Sequence, residues 1–130
     1  MDKILDVGPF FVTIKEVGQY MGTEDHKPKE FFRANLITKF KTVSDVKFKL
    51  NEIYIMDQNN KLYSLDASSV ADLQNIFTGK SYDYQGGNGY VLFEKIPSDI
   101  SKIKLVLKLS VIKTDLSEIL YEDKAEISLR

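Results

Sequence analysis

Cysteine is absent from this chain, and with it go disulfides, thiolate catalysis and cysteine-bound zinc or iron–sulfur clusters. Histidine occurs once, as His26, so any nucleophile–base arrangement on imidazole would have to be built there. Net charge is only −1 over 130 residues, which removes a bulk electrostatic drive toward nucleic acid or an anionic membrane. No apolar run approaches the roughly 20 residues that span a bilayer. The opening DKILDVGPFF has neither the basic start nor the long apolar stretch of a signal peptide. Two readings of location follow: a cytoplasmic protein that starts natively at Met1, or an extracytoplasmic domain excised from a longer chain.

What is present is strand periodicity. Ile103, Leu105, Leu107, Leu109 and Val111 alternate with Lys102, Lys104, Lys108 and Ser110, with Val106 the exception. Residues two apart share a face in a strand, so the pattern predicts a sheet with one buried side. Phe10, Val12 and Ile14 predict a first strand, and Phe32, Ala34, Leu36, Thr38 and Phe40 predict one face of a second over 31–41. Val46, Phe48 and Leu50 mark a third. Residues 53–56 and 61–65 flank Asp57-Gln58-Asn59-Asn60, a hairpin turn rich in residues that tolerate left-handed backbone. Ser69 is read as the cap of a short helix with Val70, Leu73 and Phe77 on its apolar side, ended by Gly79. Residues 18–30 are read as a polar surface loop, and Gly86-Gly87-Asn88-Gly89 as a flexible turn. Phe10, Phe32, Phe40, Phe48 and Phe93 are assigned to the core.

Seven or eight such strands and one short helix predict a single all-β domain over 1–130, an antiparallel sandwich, with a β-barrel as the competing architecture. A chain of this length buries roughly two-thirds of its unfolded surface without staples.

Motifs that could carry chemistry have ordinary explanations. Glu24-Asp25-His26 has metal-ligand character, yet consecutive residues rarely converge on one ion and no second histidine exists. Counted from Asp57, a calcium loop needs glycine and glutamate where Leu62 and Ser68 stand. The glycines at 86–89 are followed by a strand pattern without Gly-Lys-Ser/Thr, so a phosphate loop is not indicated. Tyr82, Asp83, Tyr84 and Tyr90 crowd that turn and form the candidate binding surface, because tyrosine brings large area and a hydroxyl. The lysine rows at 47 and 49, and at 102, 104 and 108, read as solvated faces that protect edges.

Four segments in order, VGPFFVTIKEVGQY, KPKEFFRANLITKFKTVSD, FKLNEIYIMDQNNKLYSLD and GGNGYVLFEKIPSDISKIKLVL, resemble the immunoglobulin-like domains of the domain-of-unknown-function 4352 family. The resemblance implies an immunoglobulin-like β-sandwich of the kind carried by secreted proteins and lipoproteins, hence an extracytoplasmic location. It also implies no shared catalytic residues. The expectation is a non-enzymatic module, without cofactor or metal, that contacts a protein or envelope component through loops or a sheet edge. Edge pairing between copies would give a homodimer. The second expectation is a cytoplasmic small-ligand or carbohydrate-binding barrel that uses the tyrosine-rich turn around 82–90.

Overall fold

The computed structural model describes residues 3–41, 46–77, 85–113 and 119–130, with side chains omitted at 46–48, 85, 112, 113 and 119–121. Strands β1 (Lys3–Val7), β2 (Phe10–Glu24), β3 (Lys27–Phe40), β4 (Val46–Asp57) and β5 (Leu62–Ser64) come first. A 3₁₀ turn at Ala67–Ser69 leads into helix α1 (Val70–Ile76), followed by β6 (Gln85–Glu94), β7 (Ile103–Lys113) and β8 (Ile119–Ser128). They form two four-stranded sheets, β1-β2-β3-β6 and β5-β4-β7-β8, with every pairing antiparallel. The chain changes sheet between β3 and β4, β5 and β6, and β6 and β7. In returning, β6 lies beside β3 and β7 beside β4. This is an immunoglobulin-like all-β sandwich with one short helix. The competing barrel is set aside, because the strands divide into two separate sheets.

The core is the alternation made solid. Ile103, Leu105, Leu107, Leu109 and Val111 of β7 are buried opposite Phe10, Val12, Phe32, Leu36, Phe40, Val91 and Phe93 of the other sheet. Phe10, Phe32, Phe40 and Phe93 are core residues as expected, while the side chain of Phe48 lies outside those described. Val106 faces the other way, between Tyr54 and Glu126 of its neighbouring strands, and is still fully buried. Its neighbours on that face are tied to acids: Lys104 to Glu126 at 2.8 Å and Lys108 to Glu52 at 3.0 Å. Much of that lysine row is therefore neutralised across the strands, which takes away its attraction for a polyanion.

Four local readings are corrected. Residues 18–30 are not a loop. Strands β2 and β3 run through them as a hairpin, turned at Asp25 and His26 with φ of 52° and 64°. Positive φ at both central residues is the type I′ turn whose twist matches a hairpin, and Asp and His tolerate it without glycine. Gly86–Gly89 are not a turn but part of β6. Ser69 stands at the helix N-cap without a side-chain cap bond. Its Oγ instead accepts from the Leu92 amide at 2.9 Å, and Asp66 serves as the cap of the 3₁₀ turn. In α1 the buried residues are Leu73 and Ile76, with Phe77 at the C-cap also buried, while Val70 is exposed. Gly79 lies outside the described residues. Strand β1 was not anticipated at all; Leu5 and Val7 bury while Ile4 stays 64% exposed.

Sheet edges are blunted. β5 has three residues and β1 five. The β6 edge is occupied by the segment before the 3₁₀ turn, where the Asp66 amide donates to the Leu92 carbonyl at 2.8 Å. On β8, Asp123 sits opposite Leu109 on the core side and accepts from the Gly8 amide at 2.7 Å. An inward-pointing charge on an edge strand discourages pairing with another chain. Asp123→Val is expected to cost about 1–3 kcal/mol through the orphaned amide. It should also produce concentration-dependent assembly in light scattering that the unmodified protein does not show.

Candidate functional site

The outer face of the β1-β2-β3-β6 sheet holds the best-formed constellation of exposed side chains. Its centre is Arg33 on β3. Regular alternation would carry the outward set of β2 from Phe11, Thr13 and Lys15 on to Val17, Gln19 and Met21. A bulge intervenes, in which Glu16 and Val17 together face the one position Ala34 of β3. Glu16 takes the left-handed backbone this needs, with φ 50°. Beyond it the outward set becomes Gly18, Tyr20 and Gly22, opposite Arg33, Phe31 and Lys29. On the other side β6 presents Tyr90 and Leu92 opposite Asn35 and Arg33.

The result is a cation with a ring on either side. The Arg33 Cζ lies 4.4 Å from the ring centroid of Tyr20 and 4.4 Å from that of Tyr90. Such contacts contribute about 0.5–1 kcal/mol each at exposed sites. The Tyr90 hydroxyl donates to Glu16, reaching from β6 over the middle strand to the bulge. That hydrogen bond, with partial burial and the charge of Glu16, pushes the Tyr90 phenol above its ordinary value, against the opposing pull of Arg33. Glu16→Gln is accordingly expected to lower the Tyr90 pKa, read from its ring resonances during an alkaline NMR titration.

Next to the clamp is an open depression of about 310 Å³ between Tyr20, Arg33, Tyr90, Leu92, Ser68, Ser69 and Asp72. It adjoins a second of about 340 Å³ floored by Phe31 and Leu92, and the two share Tyr20, Ser68 and Leu92. The 3₁₀ turn forms one wall of this groove. Asp66 holds that turn by accepting from the Ser68 amide at 3.1 Å and from the Ser68 hydroxyl. The Ser68 hydroxyl, despite partial burial and aided by the amide and by Lys29, keeps the Asp66 carboxyl below its usual range. Gly18, directly across from Arg33, has open space above it.

Of the expected binding residues, Tyr90 is here and 43% exposed. Tyr82, Asp83 and Tyr84 lie outside the described residues. Tyr20, Arg33 and Glu16 were missed by the sequence reading. The bulge that brings them together breaks the period-two pattern inside a segment whose Gly18, Gly22 and Pro28 resemble loop punctuation. His26 sits at the hairpin tip, and among the described residues no three acidic or histidine side chains are grouped to hold a metal ion. The site can pair, stack and donate hydrogen bonds. No helix of the described residues is long and apolar enough to cross a membrane. No family model, curated protein or solved structure matches this chain.

Proposed function

We propose that this chain is a non-catalytic binding module that holds another macromolecule, a protein or envelope component, against the outer face of β2, β3 and β6. One observation carries the reading: an arginine clamped between two exposed tyrosines beside an apolar-floored groove. Tyrosine and arginine are enriched among interface hot spots; tyrosine brings large area with few rotamers to freeze, and arginine a planar fork of donors. The face is preferred to a sheet edge because the edges are short, occupied or guarded by Asp123. Placement at the cell envelope, and kinship with the 4352-type immunoglobulin-like domains, are proposed on the sequence resemblance.

The test compares the unmodified protein with a Tyr20→Ala/Tyr90→Ala variant, each immobilised and exposed to envelope extract of the source organism. A component retained by the first and lost by an equally stable variant supports the reading. Equal retention by both moves the contact elsewhere on the molecule, and no retention by either overturns the module.

A further inference from the structure

We infer that the Tyr20–Arg33–Tyr90 clamp is a carboxylate-binding site, and that the carboxylate it takes belongs to an aspartate or glutamate side chain of a partner protein. The inference rests on the binding-module reading and names the chemistry of its central contact.

The argument begins with what Arg33 lacks. A guanidinium carries a rigid fork of N–H donors and is charged at all ordinary pH. Among the described residues Arg33 has neither an ion pair nor a hydrogen-bond acceptor; its contacts are the two rings. Six of the described lysines, by contrast, are paired. Lys29, Lys41, Lys95, Lys104, Lys108 and Lys124 all reach an acidic partner. Arg33 is half-buried, so the rings and the sheet take water from the donors without replacing it. An arriving carboxylate can be gripped by two parallel N–H bonds, and the flanking rings have already restricted the side chain that must make them.

Charge selects the anion. Among the described residues Arg33 is the one cation that lines its depression, and Asp72 lines it too. Glu16 stands beside it, bonded to Tyr90. These two carboxylates repel a phosphate dianion more strongly than a single negative charge, so the balance favours a carboxylate. Shape selects the source. The depression opens into the groove over Phe31 and Leu92, walled by Ser68. That groove offers an apolar floor for the residues flanking an acidic side chain, with Gly18 leaving the approach free.

The probe is an end-capped pentapeptide with a central glutamate, set against its glutamine counterpart. The full chain is titrated with each while the Arg33 Nε–Hε resonance and the Tyr20 and Tyr90 ring resonances are followed by NMR. Saturable shifts are expected with the glutamate peptide, at a dissociation constant on the order of 1 mM, typical of one small contact. The glutamine peptide should bind at least about tenfold more weakly, since a neutral amide replaces the charge-assisted pair. Arg33→Gln should abolish the response with the remaining spectrum unchanged, and Arg33→Lys should retain part of it. Equal shifts from both peptides, no shift from either, or undiminished binding by Arg33→Gln would each overturn the site. Tighter binding of inorganic phosphate would overturn the choice of carboxylate. Glucuronate binding as well as the peptide would overturn the protein source. Because these titrations read the site without any natural partner, a positive result beside a failed envelope capture faults the module reading and leaves the carboxylate site standing.

Discussion

Gly87→Ala is expected to cost the protein more than about 4 kcal/mol, a loss seen for few single substitutions and a large share of the roughly 5–15 kcal/mol that holds a domain folded. Strand β6 passes between the end of α1 and strand β3 with no room for a methyl group. A Cβ at Gly87 would stand 2.3 Å from the Asn75 carbonyl oxygen, 2.4 Å from that of Ile76 and 2.6 Å from the Ile76 Cα. All are backbone atoms, so no rotamer change relieves the clash. One at Gly86 would stand 2.2 Å from the Thr38 carbonyl oxygen. The same seam carries a hydrogen-bonded knot. The buried Thr38 hydroxyl donates to the Ile76 carbonyl at 2.5 Å and accepts from the Gly87 amide at 2.8 Å. Making room means withdrawing the end of α1, which breaks the Thr38–Ile76 bond and lifts Ile76 and Phe77 out of the core. The Phe77 ring stands edge-on to Phe10 at 5.4 Å, so the loss propagates to the β1-β2-β3-β6 sheet.

Two other glycines serve as controls. At Gly89 a Cβ meets only the tip of Ile76, at 3.1 and 3.2 Å. That tip can rotate, and Gly89→Ala should cost under about 2 kcal/mol. Nothing lies within 4 Å at Gly18, and Gly18→Ala should be neutral or stabilising by about 0.4–1 kcal/mol. Urea unfolding midpoints should therefore fall in the order Gly18→Ala, Gly89→Ala, Gly87→Ala. A Gly87→Ala protein as stable as the Gly18→Ala one would show that α1 does not lean on β6.

The same glycines show where sequence reasoning stops. Long inward alternation, as in Ile103 to Val111, is a local property, and it led directly to the sandwich and most of its core. The Asp57–Asn60 turn was equally legible, since Asn60 takes the left-handed backbone (φ 65°) that its residue type tolerates. A run of glycines, by contrast, says only that side chains are absent. Whether the reason is a flexible turn or a neighbour pressed against the backbone depends on what lies opposite, here an α1 carbonyl many residues away. Bulges hide for a related reason. The extra residue of β2 shifts every later side chain to the other face, and the only sequence trace is a broken alternation. Tyr20 and Arg33 meet through that shift combined with a strand register, and neither is written in a segment of the chain taken by itself. Tyr90 could be picked out because aromatic residues clustered near it; its actual partners come from two other strands.

The buried Asp57–Tyr63 pair should contribute to both flanks of the stability–pH curve. Asp57 closes the β4–β5 hairpin. Its Oδ1 accepts from the amides of Asn59 at 2.8 Å and Lys61 at 3.0 Å, and its Oδ2 accepts from the Tyr63 hydroxyl at 2.9 Å. Burial by itself would raise the pKa of this carboxyl. The Lys61 amide, the Tyr63 hydroxyl, the Asn59 amide and the charge of Lys61 outweigh it and hold the group below its ordinary value of 3.8. The folded protein then binds fewer protons than the unfolded chain near that pH, so the stabilisation is complete above it and is lost as pH falls through the depressed pKa. Tyr63 behaves in the opposite sense. Burial first, then the hydrogen bond to Asp57 and its negative charge, push the phenol from 10.0 up to about 12. Between those values the unfolded chain has released a proton that the folded protein keeps, so this contribution is whole below pH 10 and is lost on the way to about 12. Tyr63→Phe leaves Asp57 without one donor and should cost about 1.5–3 kcal/mol at neutral pH, the range for hydrogen bonds to charged groups. It should also remove that part of the alkaline decline and weaken the acid one, since the carboxylate loses a bond that lowered its pKa. Asp57→Asn keeps an acceptor for the turn amides while removing the charge, and should flatten the acid flank more than any other single change at the hairpin. Urea midpoints of the three proteins from acid to strongly alkaline pH decide the matter. The remaining basic and phenolic groups are common to all three, so the differences between the curves carry the signal. If Tyr63→Phe tracks the unmodified protein between pH 10 and 12, the phenol is not held protonated by the fold, and the Asp57 hydrogen bond contributes far less than its geometry implies.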